Sequence, residues 1–311
     1  MADQTVQRTA RPRARIHRWL RYAGVALALG IVMLLGAVVG AGFYLSSPAR
    51  ERIGAAPADL SAENVTFDSG SGARLRGWFV AGRPGRGAVV LMHGVRGNRL
   101  AMLRRARLLH SEGFAVLLFD FQAHGESAGE RITFGRLEGL DAAAAVAFVR
   151  QRLPDERIGA IGSSLGGASA LLGPQPLPVD ALVLESVYPD ISSAIANRIR
   201  VLLGPVVGGL AARPTAWLFE AVLPPFLGMR PVDLRPIDHI ANVSAPLLMM
   251  SGTIDERTTI AETQAMFARA PEPKRLWAVE GAGHYDLEGY APDAYRARVL
   301  EFLTEWLRPR R

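Results

Sequence analysis

Two short segments of the 311-residue chain place a serine between glycines in the spacing G-x-S-x-G: Gly162-Ser163-Ser164-Leu165-Gly166 and Gly125-Glu126-Ser127-Ala128-Gly129. A serine hydroxyl is a weak nucleophile. It becomes useful when a sharp turn lifts it clear of the backbone, and small neighbours keep that turn free of clashes. The context separates the two copies. Ser164 directly follows the strand-like run Arg157–Ile161 and directly precedes a small-residue helix beginning near Ala168, the strand–turn–helix setting such a turn needs. Ser127 lies beyond a strand end and runs into Glu130-Arg131 with no helix at once, so it reads as a loop residue.

The hydroxyl needs a base, and the base needs an orienting group. His284 stands in the glycine loop Gly281-Ala282-Gly283-His284, just after the last strand-like run, Leu276–Val279. His93 and His124, each beside a glycine at a turn, fit structural hydrogen bonding. His239 has no strand beside it, His110 closes an exposed helix, and His17 lies in the tail. Asp255 comes a short turn after the strand Leu247–Met250, with Glu256 and Asp286 as neighbouring alternatives. The order Ser164, Asp255, His284 is that of one hydrolase class. An oxyanion needs fixed backbone donors. Leu165 N–H, next to the serine, supplies one, and the loop His93-Gly94-Val95-Arg96-Gly97-Asn98 offers a second, from Val95.

These residues require a scaffold, and the chain spells one. Apolar runs at 65–67, 75–80, 88–92, 114–119, 157–161, 181–184, 247–250 and 276–279 alternate with helical patterns at 99–111, 137–153, 168–172, 259–267 and 295–307. That rhythm predicts an α/β fold, a mostly parallel twisted sheet flanked by helices, over residues 63–311. Residues 188–240 break it: apolar, helical in pattern and punctuated by Pro189, Pro205, Pro214, Pro224, Pro225, Pro231 and Pro236. The segment is expected to be an insertion over the carboxyl edge of the sheet, a lid.

The net charge of +7 suggests nucleic acid until it is located. Residues 1–21 carry six arginines against Asp3, a net +5, which leaves +2 for the rest. The basicity is a tail (1–22), not a face, and nucleic acid is not an expected partner. Ala23–Leu45 is uncharged for 23 residues, long enough at helical rise to cross a ~30 Å hydrocarbon core, with Trp19, Tyr22 and Tyr44 at its ends. We expect a retained transmembrane helix over 23–45, a linker over 46–62, the arginines on the cytoplasmic side and the long C-terminal part across the membrane. Gly36 and Gly40 have a helix-pairing spacing that carries little weight in so glycine-rich a stretch. The chain has no cysteine, which removes disulfides, thiolate nucleophiles and cysteine zinc sites. No complete dinucleotide, Walker A or HExxH pattern occurs, so neither cofactor nor metal is expected.

Taken together, LMHGVRGNR, FDFQAHGESAG, IGSSLGG, LLMMSGTIDE and GAGHYD resemble, in order, the α/β-hydrolase fold family over residues 63–307, and within it the membrane-tethered single-pass branch. The resemblance implies Ser164 as nucleophile, His284 as base, Asp255 as orienting acid, and Val95 and Leu165 as oxyanion donors. It implies cleavage of acyl or lipid-like esters or thioesters. An oligopeptide-cleaving hydrolase and a non-catalytic binding scaffold are the alternatives. Gln122-Ala123 stands where the family usually has Arg-Gly before His-Gly, which bears on how that loop packs.

Overall fold

The computed structural model describes residues 12–284 and 286–308. Arg8 and Arg11 of the basic tail lie outside the described residues. The elements run α1 (Pro12–Ser46), β1 (Ala49–Arg50), β2 (Glu63–Asp68), β3 (Arg74–Val80), β4 (Ala88–Met92), α2 (Leu103–Ser111), β5 (Ala115–Phe119), β6 (His124–Gly125), α3 (Arg136–Arg152), β7 (Ile158–Ser163), α4 (Leu165–Leu172) and β8 (Ala181–Glu185). They continue with α5 (Ile191–Leu227), α6 (Pro236–His239), β9 (Leu247–Gly252), α7 (Ile260–Arg269), β10 (Lys274–Val279), α8 (Leu287–Tyr290) and α9 (Pro292–Leu307).

Eight strands form one sheet in the order β10-β9-β8-β7-β4-β5-β3-β2. From β10 to β5 every pairing is parallel; β3 and β2 join antiparallel at the far edge. β4 and β5 are apolar at every position, and β7, β8 and β9 are apolar up to their carboxyl ends, because both faces are covered. One core holds Val90, Met92, Leu117 and Leu184 with the α3 and α4 side; the other holds Val89, Leu91, Val116 and Val183 with the α2 and α9 side. The chain leaves β4 toward β5 on one side and returns to β7 on the other. The crevice at the carboxyl ends of β4 and β7 is therefore the switch point where such sheets bind ligands.

The 188–240 segment contains no strand. α5 changes direction at Gly204, whose φ of 76° and ψ of 174° interrupt the helix. The two arms pack so closely that a Cβ on Gly208 would lie 2.7 Å from the Arg200 Cα. Residues 46–62 are tied down: β1 pairs in parallel with β6, and the Ser46 carbonyl accepts from Ile132 N–H at 2.8 Å.

The unusual loop is explained by its partners. Gln122 is buried; its side chain donates to the Arg131 carbonyl and to Glu138 Oε1, and its N–H donates to Asp141 Oδ2 at 2.8 Å. Ala123 occupies the left-handed region (φ 58°), which is why glycine suits that place in the usual pattern. Asp141 also accepts from the Ser69 and Ser71 hydroxyls, which joins α3 to the β2–β3 turn. Burial is the largest influence on its carboxyl and pushes it up to about 6, against the opposing pull of those hydroxyls. In the unfolded chain it titrates near 3.8, so the folded state holds this proton more tightly. The Asp141 contribution to stability is therefore smallest above pH 6 and grows as pH falls toward 4. The stability of wild type relative to Asp141→Asn, taken from urea midpoints, should rise between pH 7 and pH 5. A fall over that interval would contradict the assignment.

Candidate active site

β7 ends at Ser163, and Ser164 enters α4 through a turn with φ 50° and ψ −108°, a conformation uncommon for any side-chain-bearing residue. The strain is held in place on both sides. Ser164 N–H donates to the Glu185 carbonyl at 2.8 Å, and its own carbonyl begins α4 by accepting from Ala168 at 3.0 Å. The flanking glycines are a steric requirement. A Cβ on Gly162 would lie 2.5 Å from Gly167 N, and one on Gly166 would lie 2.3 Å from the Met92 carbonyl oxygen. The second serine is occupied elsewhere. Ser127 is buried, donates to the Asp120 carbonyl at 2.6 Å and accepts from Arg76 N–H at 2.9 Å.

The loops after β9 and β10 are laced together. Thr253 N–H donates to the Val279 carbonyl, Ile254 N–H to the Ala282 carbonyl, and Gly281 N–H to the Thr253 hydroxyl at 2.9 Å. Contact is so close that a Cβ on Gly252 would meet the Ala282 carbonyl at 2.0 Å. This lacing sets Asp255 Oδ2 2.8 Å from His284 Nδ1. The other carboxylate oxygen, Oδ1, accepts from the N–H groups of Arg257 and Thr258, both at 2.8 Å. Burial works to raise the Asp255 carboxyl, but the His284 ring and the two amides outweigh it, and its pKa is lowered. The group is an anion at neutral pH, aimed at one imidazole nitrogen. Neither alternative acid does this. Glu256 is exposed, and Asp286 pairs with Arg105 at 2.7 Å.

His93 and His124 take the structural hydrogen-bonding roles the sequence suggested. His93 is buried, its Nε2 accepts from Phe121 N–H at 3.2 Å and its Nδ1 faces the Gly94 carbonyl; burial, reinforced by His124, lowers it to about 3, so it stays neutral. His124 Nε2 accepts from Arg96 N–H at 3.1 Å. That bond, the left-handed Arg96 (φ 56°) and the Gly97-to-Gly94 turn fix the peptide plane at Val95.

Ser164, His284, Gly94, Val95 and Ser186 line one cavity of about 670 Å³ at the switch point. A second cavity of about 60 Å³, almost wholly apolar, opens from the same serine between Val95, Leu165, Phe134, Tyr188, Ile191 and Phe219. Gly42 and Leu45, at the end of α1, also form part of its wall. Arg96 holds that end in place. Its guanidinium lies over the Tyr44 ring and donates to the carbonyls of Tyr44 at 2.8 Å and Ser47 at 3.2 Å. Sequence reasoning missed this wall, as well as Arg198 and Arg257 at the larger cavity. A hydrophobic stretch next to a basic tail signals a membrane span and nothing about a pocket.

An α/β sheet with a strained serine after β7 and an Asp–His pair beyond β9 and β10 defines a class, and comparison with known proteins agrees. A family model described as serine aminopeptidase, S33, matches residues 83–220. An uncharacterized protein of Mycobacterium tuberculosis is 30% identical over 247 residues, covering 78% of this chain and 79% of that protein. The α/β-hydrolase domain-containing protein WAV2 of Arabidopsis thaliana is 27% identical over 258 residues, 80% of each. Among solved structures, a Pyrococcus furiosus esterase superposes with a TM-score of 0.70 at 27% identity, covering 85% of this chain and 98% of that one. The chain belongs to the α/β-hydrolase family.

Proposed function

We propose that the protein is a membrane-anchored serine hydrolase that cleaves acyl or lipid-like carboxylic esters or thioesters. The observation that carries this reading is the buried Asp255 anion bonded to His284 at the cavity that Ser164 enters on a strained turn. In the proposed reaction His284 Nε2 takes the proton of Ser164 Oγ as that oxygen attacks the acyl carbon. Asp255 holds the ring in the tautomer with hydrogen on Nδ1 and stabilises the imidazolium. The N–H groups of Val95 and Leu165 receive the oxyanion. His284 then protonates the departing alcohol or thiol, and a water activated by the same ring releases the acid. The apolar cavity beside Ser164 suits an acyl chain.

An aminopeptidase acting on a free amino terminus needs a carboxylate to receive the ammonium group. The larger cavity presents Arg105, Arg198 and Arg257, and among the described residues its one lining carboxylate, Asp286, is engaged by Arg105. That balance favours esters over peptides with a free amino end. A panel of p-nitrophenyl esters of rising acyl length, set against aminoacyl amides, tests the choice. Turnover confined to the amides would reverse it.

Asp255→Asn keeps the side-chain shape but turns an NH₂ or a neutral oxygen toward Nδ1, so the ring loses its fixed tautomer. The expected outcome is a fall in kcat of about 10⁴-fold with KM little changed. An unchanged kcat would remove Asp255 from the mechanism.

The anchor reading rests on α1, whose apolar portion Arg18–Ser46 contains an 18-residue stretch with a mean hydropathy of 2.4 that is almost entirely exposed. With the arginines cytoplasmic, the hydrolase part lies outside the cytoplasm. Protease added outside a sealed inner membrane should digest the hydrolase part and spare the tail; the reverse pattern overturns the orientation.

A further inference from the structure

α1 is not free of the body over its last turns. Val38, Ala41, Gly42 and Leu45 form one stripe; Val38 is 3% exposed, and a Cβ on Gly42 would touch Phe219 of α5 at 3.9 Å. Val38 and Phe219 belong to one apolar cluster with Ala41, Leu218 and Val222 packed against it, and α1 packs on α5. Gly36 and Gly40 take no part, since a Cβ on either would meet no atom within 4 Å. Contact therefore reaches from Leu45 back to Val38, about 10 Å along the helix axis.

That depth creates a conflict if α5 stands in water. The part of α1 packed on it would stand in water too, and the uncharged stretch left to span the bilayer would be residues 23–37, fifteen residues or about 22 Å, against a ~30 Å hydrocarbon core. The conflict disappears if α5 enters the leaflet with α1. The surface of α5 is suited to that. Residues 201–212 carry no charge, and Leu202, Val206 and Leu210 are 80%, 74% and 79% exposed, with Val207 and Trp217 exposed nearby. Arg200 and Arg213 flank the uncharged run, where long cationic side chains reach lipid headgroups. The bend also sits close to the anchor: Val201 and Leu202 line the same cavity as Leu45, Ser164 and His284.

From this we infer that the bend of α5 around Gly204 is a second membrane contact, embedded in the leaflet from which α1 emerges, so that the cavity opens onto lipid. The occupant of this exposed apolar surface is the bilayer. The inference rests on the anchor reading above and deepens it: the substrate reaches Ser164 from the membrane rather than from water.

The absence of cysteine makes the test direct, because any single cysteine introduced into the full-length chain labels uniquely. An environment-sensitive fluorophore is placed at Leu202→Cys, Leu210→Cys, Met33→Cys within the anchor, and Asp155→Cys in the exposed turn before β7, at the opposite edge of the sheet. The chain is reconstituted in phosphatidylcholine–phosphatidylglycerol vesicles with nitroxide-bearing acyl chains. Blue-shifted emission and lipid quenching at 202 and 210, comparable to position 33 and several-fold above position 155, are expected. Water-like, unquenched signals at 202 and 210 with quenching at 33 overturn the inference and leave the anchor intact. No quenching at 33 removes the anchor, and this inference with it. Blue-shifted but unquenched signals at 202 and 210, with crosslinks between copies, assign the surface to a second copy and also overturn it. As a functional arm, Val206→Asp combined with Leu210→Asp should lower turnover of a long-chain ester held in the vesicles by about tenfold and leave a short, water-soluble ester unaffected. Equal losses on both esters would count against it.

Discussion

Replacing Ser164 by alanine is expected to reduce ester hydrolysis by 10⁴- to 10⁶-fold and to abolish labelling by a fluorophosphonate, with the fold intact. Only the hydroxyl is lost, while the turn that presents it is set by backbone bonds to the Glu185 carbonyl and from the Ala168 N–H, which alanine keeps. What activity persists would come from the oxyanion donors and substrate binding alone. The informative companion is Ser127→Ala. Its hydroxyl satisfies a buried carbonyl and a partly buried N–H, so its removal should cost about 1–3 kcal/mol of stability while labelling proceeds normally. Labelling that survives Ser164→Ala and vanishes with Ser127→Ala would exchange the two assignments.

The second large effect is on stability. Glu185, at the end of β8, is 1% exposed and accepts from Arg105 Nε at 3.0 Å, Arg105 Nη2 at 2.5 Å and the Tyr295 hydroxyl at 2.5 Å. Arg105 is also buried, and its third nitrogen reaches Asp286, two residues beyond His284. Removing the carboxylate in Glu185→Ala leaves a guanidinium in the core with one half-exposed partner. Loss of one member of a buried pair typically costs about 3–5 kcal/mol, here a fall in Tm of roughly 10 °C. A Glu185→Leu, Arg105→Met double variant removes both charges and should recover most of that loss, since the penalty lies in the orphaned charge more than in the missing attraction. Its activity should stay reduced, because Arg105 also steadies the loop that carries His284. If the single variant melts like wild type, the network contributes nothing to the fold.

Much of this could be read from the chain before folding was considered. Apolar runs buried on both faces leave a period that survives any tertiary context, so the strands from 88–92 to 276–279 fall where the pattern puts them. The serine was legible because its turn needs Gly162 and Gly166 at fixed offsets, a steric demand written in consecutive residues. The pairing of Asp255 with His284 depends on two loops meeting across β9 and β10, and only chain order hinted at it. Arg105 was illegible. On an amphipathic helix an arginine reads as solvent-facing, and nothing nearby in sequence announces that Glu185 and Tyr295 will surround it. The same holds for Gln122, whose buried bonds run to Arg131 and Glu138. Contacts made over long separations by single polar residues carry no period, and a period is what such reading detects.

The seat of Gly42 and Leu45 in the small apolar cavity, with Arg96 gripping the carbonyls of Tyr44 and Ser47, bears on any shed form of the molecule. A peptidase cut just behind the hydrophobic helix would not set loose the same catalyst. It would remove one side of the small apolar cavity, open it to water and leave the Arg96 guanidinium held by Ser47 alone. In the proposed topology, release from the membrane would lower activity or narrow the range of substrates accepted.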